Sequence, residues 1–139
     1  MMRYLAFPFI AILIGTPAFA ELWAVHTEAN NIQCTVGDDP EKTDLACILQ
    51  DPSGAPALPK PDDCDGVWGQ GFFIADRGPV TMFCMDDPSR DSWGGNFKFD
   101  SKEPWDFGGV TCTATRATLS CENSDGHGFS LSQTSQSVY

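Results

Sequence analysis

The chain reads as an all-β protein, a small disulfide-stapled antiparallel sandwich or barrel of roughly six to eight short strands. Three observations predict this class. Beyond residue 20, short β-branched or aromatic runs alternate with clusters of Gly, Pro, Asp and Asn, and no apolar repeat of helical period occurs. Six cysteines are spread along the chain, and two pairs of them fall opposite one another when neighbouring runs are laid antiparallel. The opening residues have the layout of a secretion leader, which would deliver the rest to a compartment where thiols oxidise.

The leader consists of one positive charge at Arg3, an apolar run from Tyr4 to Ile14, the helix breaker Gly15-Thr16-Pro17 and the small-x-small end Ala18-Phe19-Ala20. Cleavage of this signal peptide is expected after Ala20. Its apolar run is too short to span a bilayer, so no membrane span is expected in the mature chain. Residues 21–139 then form a single all-β disulfide-rich domain.

The first strand pair is Ile32–Val36 with Leu45–Leu49. Setting Cys34 opposite Cys47 brings Ile32 against Leu49 and Val36 against Leu45, and places all six residues on one face. Gln33, Thr35 and Ala46 take the other face, with Ile48 as the apolar exception. The loop from Gly37 to Asp44 is polar and turn-rich, as an exposed hairpin loop should be. Gln50–Pro61 holds four prolines and reads as an extended connector. Phe72–Ala75 and Val80–Cys84 flank Asp76-Arg77-Gly78-Pro79, a second hairpin signal. A Cys64–Cys84 bond would pin the glycine-rich stretch Gly66–Gly71 to that hairpin. Asp86–Gly95 is polar and turn-forming. In the last pair, Cys112 opposite Cys121 sends Val110, Cys112, Ala114, Leu119 and Cys121 inward. Thr111, Thr113, Thr115, Thr118, Ser120 and Glu122 then face out. Its tip, Arg116-Ala117, lacks the Asn-Gly chemistry of a two-residue turn, so a wider loop is expected.

Six cysteines allow fifteen pairings. Sequential pairing, Cys34–Cys47, Cys64–Cys84 and Cys112–Cys121, is favoured because two of its bonds coincide with the hairpin registers. Metal binding is the rival use, but there is no C-x-x-C and no His pair at ligand spacing. No cofactor motif is present. The acidic clusters Asp62-Asp63-Cys64-Asp65-Gly66 and Asp86-Asp87 do not follow the EF-hand pattern, and turn chemistry accounts for them more simply.

The 19 acidic residues all lie beyond residue 20, while one of the eight basic residues leaves with the leader, so the mature chain is more negative than the full chain's −11. Such a charge argues against nucleic acid and against unaided docking on anionic lipid, and favours cationic partners, a basic protein above all, or divalent metal ions. Only His26 and His127 could serve as an imidazole base. No H-E-x-x-H or G-x-S-x-G occurs, although a triad could be assembled by the fold. His127 sits in Gly126-His127-Gly128-Phe129, where the glycines allow a tight bend; its alternative role is to cap a backbone carbonyl in that turn. Trp93 and Trp105 stand in polar, glycine- or carboxylate-bearing context and could stack on a ligand or anchor a partner, or else cover an open end of the fold.

Two stretches carry a resemblance. Thr27, Asn31, Ile32 and Cys34 stand at the start, and Cys121, Asn123, Gly126-His127-Gly128-Phe129 and Leu131-Ser132 at the end, with Cys47, Cys64, Trp68-Gly69, Cys84 and Cys112 between. The mature chain resembles a family of small secreted, six-cysteine bacterial domains of unknown function, whose pattern is S/T-P-S-G-N-I-x-C near the start and C-x-N-x-x-G-H-G-F-x-L-S-R near the end. Departures are Glu28, Ala29 and Asn30 in place of Pro-Ser-Gly, Thr118 in place of a glycine at the hairpin tip, Phe99-Asp100 for a Tyr-Gly step and Gln133 for the last arginine. Asn30 tolerates the left-handed conformation that glycine would supply. The resemblance implies secretion and disulfides but no activity. Candidate binding residues are therefore His127 and Asn123 of the terminal motif, with Trp93 and Trp105. The expected role is a periplasmic or extracellular non-enzymatic binding or inhibitory module, for a cationic protein or a small ligand. The alternatives are a small hydrolase using His127 and a structural cell-envelope component.

Overall fold

Period-two alternation decides the architecture. The computed structural model describes residues 23–37, 44–86 and 97–139, and they form eleven strands in two sheets, with no helix among the described residues. Residues 1–22, 38–43 and 87–96, the last with Trp93, lie outside the described residues. In chain order the strands are β1 Trp23–His26, β2 Ile32–Val36, β3 Asp44–Leu49, β4 Val67–Ala75, β5 Thr81–Met85, β6 Phe97–Lys98, β7 Trp105–Asp106, β8 Val110–Ala114, β9 Leu119–Asn123, β10 Gly128–Leu131 and β11 Gln136–Val138. The first sheet runs β5-β4-β3-β2-β1-β6 and the second β11-β10-β9-β8-β7. All neighbours are antiparallel except β1 and β6. The two sheets form a sandwich; there is no closed barrel.

Both hairpin registers expected from the sequence are present. Cys34 pairs with Cys47 and Ile32 with Leu49; Cys112 pairs with Cys121 and Ala114 with Leu119. The inner faces meet in one core cluster that includes Ile32, Leu45, Leu49, Phe72 and Ile74 from the first sheet and Val110, Leu119, Phe129 and Leu131 from the second. Phe72 and Phe129 touch across it, with ring centroids 5.9 Å apart. The disulfides are Cys34–Cys47 between β2 and β3, Cys112–Cys121 between β8 and β9, and Cys64–Cys84 between the connector before β4 and β5. Three disulfides mark a non-cytoplasmic protein.

Three expectations need correction. The described residues form eleven strands, because two-residue pairings at β6 and β7 and the short β1, β10 and β11 add to the longer hairpins. The glycine-rich stretch before Phe72 is strand: β4 starts at Val67, and Gly69 at φ +93° lies in the irregularity where its pairing with β5 slips between Val67 and Gly71. Its partner strand starts one residue later than expected, at Thr81. Gln33, on the outer face by alternation, is nevertheless buried; it lies between His26 and Ile48 in the cross-strand row, and its Nε2 donates back to Asn30 Oδ1 at 2.8 Å.

One end of the sandwich is tied by the 27–31 turn. Thr27 is fully buried and its Oγ1 donates to Asn31 Oδ1 at 2.7 Å. Asn31 Nδ2 then donates across to Ala117 O at 2.8 Å, and Ala29 N–H to Arg116 O, so the carbonyls of the β8–β9 tip serve the opposite sheet. That tip is a four-residue connection, wider than a minimal turn, in which Thr118 N–H bonds to Thr115 Oγ1. Asn30 takes φ 57°, the left-handed conformation expected of it.

Candidate functional site

The other end of the sandwich is built around Asn123, the last residue of β9. Its side chain is 6 % exposed, so every polar atom there needs a partner. All four hydrogen-bonding positions are used. Nδ2 donates to Ala75 O at 3.1 Å, at the end of β4, and to Gly78 O at 2.7 Å, on the β4–β5 loop of the first sheet. Oδ1 accepts from Asp125 N–H at 3.0 Å and His127 N–H at 3.1 Å, within its own turn. The two carbonyls fix which end of the amide faces the first sheet, since only the NH₂ group can donate to both. Gly126 closes this turn at φ +80°.

His127 is half-buried, and the bonds that hold it are made by its backbone, N–H to Asn123 Oδ1 and carbonyl from Asn123 N–H at 2.8 Å. The other histidine, His26, lies at the opposite end, with Nδ1 2.7 Å from Thr27 O. Arg77 and Asp125 form an ion pair at 3.3 Å over the same end. The pair is exposed on both sides and adds little stability. Trp105 pairs with Cys112 and so points inward. It is half-buried and stands 5.4 Å from Phe99 and 6.1 Å from Phe107, between ring centroids, at the β7 edge of the core.

What faces solvent on the second sheet is a field of hydroxyls and carboxylates. One cross-strand row runs Thr113–Ser120–Ser130–Ser137 over β8, β9, β10 and β11. Ser120 and Ser130 hydroxyls are 2.9 Å apart. The next row runs Asp106–Thr111–Glu122–Gly128, and Tyr139 closes it through two backbone hydrogen bonds with Gly128. A Cβ on Gly128 would stand 2.8 Å from the Tyr139 hydroxyl and 2.3 Å from Cys121 O; glycine there lets the tyrosine lie across the strand to donate to Glu122 Oε2 at 3.4 Å. Burial, followed by the charge of Glu122 and the hydrogen bond to it, raises the Tyr139 pKa above the ordinary 10.0.

Open depressions mark this face among the described residues. The first, about 250 Å³, is lined by Asp106, Gly109, Thr111, Glu122, Asn123 and Ser124. The second, about 290 Å³, shares Thr111 and Glu122 and continues to Thr113, Ser120 and Tyr139. A third, about 150 Å³, adjoins it at Ser120 and lies among Ser130, Ser132, Ser135 and Ser137. No strand of this sheet carries a Lys or Arg. Each depression is below the volume of a drug-sized ligand site and suits a single side chain or a small ion. Among the described residues no three acidic, histidine or cysteine side chains converge as a metal-ion cluster, and no helix is long and apolar enough to cross a membrane.

The pattern of one family of unknown function matches residues 22–139, most of the chain. The chain belongs to DUF6636. No curated protein and no solved structure matches it. In this DUF6636 member the structure brings Asn123 and His127 into one turn, sets Trp105 apart at the edge of the core, and leaves Trp93 outside the described residues. The outward Thr, Ser and Glu122 positions were legible from alternation. Asp106 and Tyr139 were missed, because neither the two-residue β7 nor β11 gives a period to read.

Proposed function

We propose that this protein is an exported, non-enzymatic binding module of the bacterial periplasm or exterior, and that the groove between Asp106 and Glu122 receives a cationic side chain of a basic protein partner. In this reading residues 1–20 are removed as a signal peptide and residues 21–139 act as one domain. The observation that carries the reading is the groove itself: two carboxylates and the hydroxyls of Thr111 and Ser124, with no basic residue in its lining. A lysine or arginine placed there would find carboxylate and hydroxyl acceptors together. The overall acidic charge would speed the encounter and make it salt-dependent.

The test is binding of the oxidised chain to a basic wall hydrolase of the lysozyme type, at low and at high salt. Wild type should bind at low salt and release at high salt. Asp106→Asn with Glu122→Gln should weaken binding about tenfold, since exposed ion pairs contribute about 0.2–1 kcal/mol each. Equal affinity of variant and wild type, or binding indifferent to salt, would overturn the assignment. Inhibition of the bound hydrolase would separate an inhibitor from a simple binder.

A further inference from the structure

Two of the three disulfides belong to the core, and one does not. Cys34, Cys47, Cys112 and Cys121 are at most 1 % exposed and sit in the core cluster. Cys84 is exposed, on β5, which pairs with β4 alone and forms the edge of its sheet. Its partner Cys64 is buried at the end of the proline-rich connector. The earlier part of that connector is held independently. Ser53 N–H donates to Gln133 O, Ala57 N–H to Gln136 Oε1, and Trp68 Nε1 to Leu58 O. Past Leu58 the hydrogen bond among the described residues is local, Cys64 N–H to Pro61 O at 3.1 Å. Residues 59–63 and Asp65 are exposed. The disulfide is the side-chain tie between this segment and β5, and Val67, opposite Met85, begins the strand pairing that follows it.

Exchange begins with attack of a thiolate on a sulfur, so access decides which bond opens in the folded state. We propose that Cys64–Cys84 is a thiol–disulfide exchange site, opened by an external dithiol at Cys84 while the two core disulfides stay closed, and that its opening unclasps residues 59–65 from β5 without unfolding the sandwich. The attacking thiolate bonds to Cys84 Sγ, the S–S bond breaks, and Cys64 leaves as a thiolate that takes up a proton. The second thiol of the reductant, deprotonated, then attacks its partner sulfur in the mixed disulfide and expels Cys84. Two electrons pass to the protein cystine, the dithiol ends as a disulfide, and both cysteines end as thiols.

Graded dithiothreitol on the folded chain, trapping with iodoacetamide and peptide mapping by mass spectrometry test this. Cys64 and Cys84 should be labelled at least about tenfold faster than the other four, because reaching those requires opening of the core. Labelling of all six at one rate, or of a core pair first, would overturn the proposal. A Cys64→Ser, Cys84→Ser double variant should keep the β-sheet circular dichroism and the protection of the remaining bonds. Loss of fold in that variant would show the bond to be a pillar of the sandwich and would equally overturn unclasping.

Discussion

Replacing Asn123 with alanine removes four hydrogen bonds at once, two to the end of β4 and the loop after it and two within the β9–β10 turn. A neutral hydrogen bond contributes about 1 kcal/mol net. Water can reach part of a turn at the end of a sandwich, so the expected loss is about 2–4 kcal/mol, a large share of the roughly 5–15 kcal/mol that keeps a domain folded. With disulfides intact this corresponds to a fall in Tm of about 8–16 °C. Asn123→Asp is the sharper variant. Its carboxylate can still accept from Asp125 N–H and His127 N–H, but it sets negative oxygen against the carbonyls of Ala75 and Gly78, which need donors. At neutral pH it should be less stable than the alanine variant. Opposed carbonyls and burial raise the folded-state pKa of such a carboxyl above its unfolded value of about 3.9. The protonated form can donate to one carbonyl, so stability is regained as pH falls through the raised value and is lost as pH rises through it. Thermal and urea unfolding of the three proteins between acid and neutral pH is the assay. A loss under about 1 kcal/mol for the alanine variant, or an aspartate variant with no such pH dependence, would refute the reading of Asn123 as the tie between sheets.

Two further outcomes are expected. In a chain beginning at residue 21, Tyr139 is the sole tyrosine, so ultraviolet titration of the phenol should give a midpoint above 10.0, lowered but not abolished by Glu122→Gln because burial is the leading cause. The neutral phenol favours the folded state, so this contribution is present at neutral pH and disappears as pH climbs past the raised value. Asn30→Gly keeps φ 57° freely but loses the acceptor of Gln33 Nε2, so it should cost about 1 kcal/mol in denaturant unfolding, whereas Asn30→Ala should cost about 1–2 kcal/mol more for a left-handed alanine.

Where the sequence spoke through alternation it could be read with confidence of register. Ile32, Cys34, Leu45, Cys47 and Leu49 all turn inward and are fully buried, and Val110 to Cys121 repeat the pattern on the second sheet. Asn30 was legible through backbone sterics alone. What failed to show lacked a period. Val67–Gly71 carries two glycines inside a strand and a slipped pairing, so the two-residue rhythm is broken there. Gln33 alternates outward yet is buried, because burial on an outer face depends on neighbours in other strands. For the candidate site, Glu122 and the hydroxyls were visible as outward positions. Their junction with Asp106 and Tyr139 was not, since it is made by cross-strand rows joining residues far apart in sequence.

No disulfide crosses between the sheets. Each closes a short span, of 9 to 20 residues. A chain denatured with its cystines intact therefore keeps the β2–β3 and β8–β9 hairpins from sliding past one another, since each is cross-linked at directly opposed residues. Refolding from that state has little strand pairing left to search in those regions. Its remaining problem is one of docking: two pre-aligned layers must meet face to face, and the asparagine at each end latches only when they have.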